Sequence, residues 1–107
     1  MKHGPIALLE PGTPVVALAP QDRVSAKMVS NIEEVRARGA SVIVIATEGD
    51  VHFKKKDFPV FYLPETAWYL APLLASLPLQ LLAYYVADLK GTDVDQPRNL
   101  AKSVTVE

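Results

Sequence analysis

Three side chains invite a chemical reading first: His3, His52 and Lys102. A histidine carries protons near neutral pH, so His3 could serve as a proton carrier. A lysine amine can add to a carbonyl and form an imine, which makes Lys102 a candidate Schiff-base former. That chemistry needs the neutral amine, whereas a free lysine with a pKa of ~10.4 is almost wholly protonated at pH 7. Ser103 and Asn99 beside Lys102 are neutral, so no neighbour in sequence supplies the shift. On residue type alone, His3 is a histidine beside a helix start and Lys102 is a solvated tail lysine. The two histidines are far apart and neither has a partner at metal-ligand spacing, so no metal site is expected. The chain contains no cysteine, which removes disulfides, thiolate metal sites and a Cys nucleophile. It also lacks a P-loop and a GxGxxG fingerprint, and no Ser-His-Asp set stands out from chance.

The elements that would position such groups follow from hydrophobic patterning. Pro5 suits the first turn of a short helix running through Ile6-Ala7-Leu8-Leu9. Glu10 to Pro14 is a turn, with two prolines and a glycine. Val15–Ala19 and Val42–Ala46 are uninterrupted apolar runs of the kind buried in parallel sheets. Between them Val24, Met28, Ile32 and Val35 draw one stripe along a helix, with Asp22 as its cap and Gly39 as its stop. Strand, helix and strand make a βαβ unit with a right-handed crossover. Thr47 to Asp57 reads as a polar loop, and its Lys54-Lys55-Lys56 run as a solvated face. Pro59 to Pro64 holds a short third strand with prolines at its limits. A long apolar helix follows, roughly Tyr69 to Lys90, irregular near Pro72 and Pro78 and ended by Gly91. Thr66 to Ala87 carries no Asp, Glu, Lys or Arg and is long enough to span a bilayer. With prolines inside it and a sheet available to cover, the reading adopted is a buried helix and no membrane partner. Residues 91–107 are polar and without helical period, an irregular tail.

In an open parallel sheet the ligand crevice lies beyond the carboxyl ends of the strands. That rule puts Pro20-Gln21-Asp22, Thr47-Glu48-Gly49 and Pro64-Glu65-Thr66 on the functional edge, on the warrant of the fold alone; by residue type each is an ordinary loop. The length of 107 residues allows one domain. Half of the residues are hydrophobic and 21% are charged, a balance that argues for a folded chain. The net charge of -1 offers no basic surplus, so no nucleic-acid partner is expected.

Four blocks in this order resemble the glucosamine-6-phosphate synthase family. They are Lys2-His3-Gly4-Pro5-Ile6-Ala7-Leu8, Asn31 to Gly39 (NIEEVRARG), Pro78 to Tyr84 (PLQLLAY) and Lys90 to Glu107 (KGTDVDQPRNLAKSVTVE). The resemblance is most specific in the last block and weakest from Thr47 to Asp57. It implies an α/β fold: part of a flavodoxin-like sugar-isomerase (SIS) subdomain, three layers around a parallel sheet. Residues 1–90 would be the C-terminal portion of the second SIS subdomain, and residues 91–107 the active-site tail. The implied activity is aminotransferase and isomerase, making glucosamine 6-phosphate from fructose 6-phosphate and glutamine in amino sugar biosynthesis. His3 would match the ring-opening histidine of the KHGP motif, which reaches the neighbouring subunit's site in a homodimer. Lys102 would match the Schiff-base lysine, and Ala101 the adjacent residue whose backbone lies near the sugar. No cofactor is implied, and the setting is cytoplasmic. The glutaminase domain, the first SIS subdomain and the opening of the second lie outside this sequence. The chain alone is therefore expected to be inactive. The alternative is a non-catalytic SIS module that binds a phosphosugar and regulates a partner. Lys102 and the full tail favour the enzyme.

Overall fold

The computed structural model describes residues 4–54 and 56–96. They fall into two units, the first running to Ala75 and the second starting at Ser76. In the first unit, β1 (Pro14–Ala19), β2 (Ser41–Thr47) and β3 (Val60–Leu63) form one parallel sheet in the order β1-β2-β3. The register pairs Val16 with Ile43 and Leu18 with Ile45, then Ile45 with Phe61 and Thr47 with Leu63. Both uninterrupted apolar runs and the proline-bounded one therefore become strands, within one residue of their expected limits.

Helix α1 (Ser25–Ala37) crosses from β1 to β2. Its expected stripe forms the helix side of the core: Ile32 and Val35 are buried, and Met28 packs beside them. They cover the sheet face built from Val15, Ala17, Ala19, Val42, Val44 and Ala46. Asp22 acts one turn earlier than expected. Its Oδ1 accepts from the Val24 N–H at 2.7 Å, while its carbonyl accepts from Ser25 Oγ at 3.0 Å, so it organises the turn leading into α1. Val24 sits outside the helix and is exposed. Gly39 ends α1 at φ 80, a left-handed conformation that a side chain would resist. A Cβ there would also lie 3.3 Å from the backbone of Pro11, because the Gly12 N–H donates to the Gly39 carbonyl.

Arg36 ties α1 to the chain entering β3. Its guanidinium donates to Glu33 at 3.2 Å and to Asp57 at 2.6 Å, and it lies 4.9 Å over the Phe58 ring. Lys56 Nζ reaches the other oxygen of Glu33 at 2.7 Å. The Lys56 contact, with Arg36 adding to it, holds the Glu33 carboxyl below its ordinary pKa. At its N-terminal end the first unit has a short 3₁₀ turn, Pro5–Leu8, where Pro5 was expected to open a helix.

Helix α2 (Ala71–Leu89) confirms the expected helix but not its burial. Of its residues only Ala75 is buried, whereas Leu73, Leu77, Leu81, Tyr84 and Tyr85 are all more than half exposed. The expectation of a helix covered along its length is thus corrected. Its apolar residues face in every direction, and a helix of that kind needs cover on all sides. By length and composition α2 is also apolar enough to cross a membrane. Pro72 falls in the first turn, where it costs little, but Pro78 lies inside the helix. The helix closes on Gly91 at φ 65. The Gly91 N–H donates to the Asp88 carbonyl at 2.8 Å and the Thr92 N–H to Ala87 at 3.0 Å, the Schellman pattern.

Candidate functional site

The carboxyl ends of the three strands enclose a small cavity of about 120 Å³ in the first unit. Its polar lining comes from Gln21 after β1, Thr47 at the end of β2, and Glu65 and Thr66 after β3. Trp68 stands at its rim with 77% of its surface exposed. The lining joins all three segments that the strand-end rule selects. Thr47 is buried, and its Oγ1 accepts from the Gln21 backbone N–H at 2.8 Å. That bond fixes the exit of β1 to the end of β2, and the Glu48 N–H donates to the Leu63 carbonyl at 2.7 Å to fix the exit of β3. The cavity therefore has a rigid polar floor. Its groups can hydrogen-bond a small polar molecule. Among them is no nucleophile paired with a base, so the cavity by itself carries no covalent chemistry.

Beside it, Glu48, Gly49, Asp50, Lys54 and Tyr62 line a second cleft of about 240 Å³. Asp50 has a fully buried side chain. Its Oδ1 accepts from the His52 N–H at 2.9 Å and lies 2.8 Å from His52 Nδ1. Asp50 thereby caps the 3₁₀ turn Val51–Phe53 and orients the half-exposed His52 ring. The pair escaped sequence reasoning because an Asp two residues before a His is a common spacing. Only the bury of Phe53 into the core reveals why the loop must turn there. Among the described residues no group of three or more His, Cys, Asp or Glu could hold a metal ion.

The second unit leads to the polar tail. Asp93 Oδ1 accepts from the N–H groups of Asp95 at 2.9 Å and Gln96 at 3.0 Å, turning the chain just beyond α2. Thr92 to Gln96 and the Gln80, Tyr84 and Ala87 side of α2 border an open cleft. His3, Ala101 and Lys102 lie outside the described residues. The described structure thus brings together the strand-end residues.

Residues 1–89 match the SIS domain. The chain belongs to the SIS domain family. Two glutamine–fructose-6-phosphate aminotransferases (isomerizing) are similar to it over all 107 residues. The one from Symbiobacterium thermophilum is 57% identical and the one from Thermus thermophilus 59%. The chain spans 18% of the length of either relative. Among solved structures, the C-terminal domain of glucosamine-fructose-6-phosphate aminotransferase from Francisella tularensis matches with a TM-score of 0.82. The two are 42% identical, and the match covers 89% of this chain and 27% of that one. The parallel α/β architecture is that of this SIS domain.

Proposed function

We propose that this SIS chain supplies the closing part of the sugar site of a glutamine–fructose-6-phosphate aminotransferase. The observation that carries the reading is the extent of the likeness. The SIS match ends at residue 89, yet the two relatives stay similar through residue 107, across the tail that holds Lys102. A module that only bound a phosphosugar would need the sheet and not the tail.

In this reading the tail leaves α2 at the Gly91 stop and carries Ala101 and Lys102 to the sugar. The neutral amine of Lys102 adds to the C2 carbonyl of open-chain fructose 6-phosphate. The carbonyl oxygen departs as water and the imine remains. Desolvation in the closed site favours the neutral amine, because burial penalises the ammonium form. Ring opening must precede this step, with a proton lost from the anomeric hydroxyl and one gained by the ring oxygen. His3 is the group suited to move it, and in a homodimer it does so for the neighbouring subunit. The glutaminase, the phosphate-binding loop and the proton-shuttling glutamate come from outside this chain. The setting is cytoplasmic, and the chain on its own is inactive.

A chimaera tests this. The matching segment of the Thermus thermophilus relative is replaced by these 107 residues, and amino sugar phosphate is measured from fructose 6-phosphate and glutamine. Turnover within about tenfold of the parent, a cost of ~1.4 kcal/mol or less in the barrier, is expected. A folded chimaera that hydrolyses glutamine but makes no amino sugar would overturn the reading.

A further inference from the structure

We infer that Asp93 is a positioning residue for Lys102: its carboxylate fixes the direction in which the tail leaves α2 and so sets where the lysine amine arrives. The inference rests on the aminotransferase reading above.

Burial does not hold this exit in place, since every residue from Gly91 to Gln96 is exposed. The path of the chain there is set by hydrogen bonds and backbone restriction, and these come in an unbroken series. Gly91 turns the chain in the left-handed conformation, φ 65. The Ala87 carbonyl then accepts twice, from the Thr92 N–H at 3.0 Å and from Thr92 Oγ1 at 2.9 Å. Next, Asp93 Oδ1 accepts from the Asp95 N–H at 2.9 Å and from the Gln96 N–H at 3.0 Å. Pro97 follows, and a proline biases the residue before it toward extended backbone. Residues 91–96 thus form a bracket on the end of α2. Within it the Gly91 and Thr92 N–H bonds need no particular side chain. The two bonds to Asp93 exist only while position 93 offers a side-chain oxygen.

The bracket shortens the free tether of the lysine. Lys102 lies six residues beyond Gln96 and nine beyond Asp93. A fully extended chain covers about 3.5 Å per residue, so a fixed Gln96 keeps the Lys102 backbone within roughly 20 Å of it. The effective concentration of a tethered group falls roughly as the −3/2 power of the free length, so releasing Val94 to Gln96 costs about twofold by length alone. Lost direction costs more. Imine formation needs the amine held against the carbonyl carbon, and a misplacement of about 1 Å can cost about a hundredfold. Asp93 touches no reacting atom in this account and acts through the tail. Asparagine separates that role from an effect of charge, because it keeps an oxygen acceptor and removes the charge.

The test places Asp93→Ala and Asp93→Asn in the chimaera of the Thermus thermophilus relative. For Asp93→Ala, kcat for amino sugar phosphate should fall about tenfold. Its KM for fructose 6-phosphate should stay within about twofold of the parent's, because the phosphate-binding loop comes from outside this chain. Glutamine hydrolysis should persist, which reports a folded variant, and the sugar trapped on Lys102 by borohydride should fall with kcat. Asp93→Asn should restore the parent kcat. In the 107-residue chain, nitrogen-15 relaxation should find the Asp95 and Gln96 amides ordered in the parent and the asparagine variant. In the alanine variant their order parameters should drop below about 0.6. The inference is overturned by an alanine variant that keeps the parent kcat, by an asparagine variant that loses as much as alanine, or by unchanged order at Asp95 and Gln96. A parent chimaera that hydrolyses glutamine and makes no amino sugar overturns the aminotransferase reading itself, and this inference with it.

Discussion

Thr47 spends its hydroxyl oxygen on one backbone group, the N–H of Gln21, in a partly buried place. Replacing it with valine keeps the shape and leaves that donor without an acceptor. Such a loss costs about 1–3 kcal/mol, so the urea midpoint of Thr47→Val should fall while its slope is unchanged. An unaltered midpoint would mean that the Gln21 amide finds another partner. Glu33 offers a second residue-scale test. Contact with Lys56, assisted by Arg36, lowers its pKa in the folded chain. A lowered carboxyl stabilises the fold above its unfolded-state pKa, and that contribution is lost as pH falls through the folded value. A carbon-detected NMR titration should therefore place Glu33 below the ordinary value of a glutamate carboxyl. Lys56→Met should move it upward, and a titration identical in both proteins would refute the Lys56 contact. These residues were poorly legible in the sequence. Thr47 looked like the first residue of a loop, and its use as an acceptor depends on β1 ending beside it. The Asp50–His52 pair was hidden for a similar reason, since a buried carboxylate shows only once Phe53 is placed in the core.

At the scale of elements the sequence was far more readable. Apolar runs with no polar interruption mark the strands, and β1, β2 and β3 occur where those runs are, although only one face is packed by α1 and Ile43 and Phe61 are exposed. The stripe of α1 is equally direct, because helix period and core contact are the same fact. The burial of α2 was misread for a physical reason. A helix whose one charged residue is Asp88, near its end, declares that it needs cover, but composition does not say whether the cover lies in the same sequence. Pro78 marks where this helix is weakest. It cannot donate to the carbonyl one turn back and its ring crowds that turn. Pro78→Ala should therefore raise helicity and stabilise the second unit by up to about 3 kcal/mol. Thermal unfolding followed at 222 nm measures this, and a lower transition temperature for the alanine variant would show that the proline is accommodated by a contact worth more than the lost bond.

For the molecule as a whole, the strand-end rule selects the segments whose Gln21, Thr47, Glu65 and Thr66 line the cavity. The proposed chemistry rests on the resemblance alone, because one lysine in a polar tail has no periodicity and no paired base to announce it. The central claim is that Lys102 forms the imine. It is tested most directly by reducing the chimaeric aminotransferase with borohydride in the presence of fructose 6-phosphate and mapping the adduct by peptide mass spectrometry. The account predicts one reduced sugar adduct, on Lys102. In Lys102→Arg, which keeps the charge but cannot form the imine, adduct and amino sugar synthesis should both disappear while glutamine hydrolysis persists. An adduct on a different lysine, or an arginine variant that still makes amino sugar phosphate at the full rate, would contradict it.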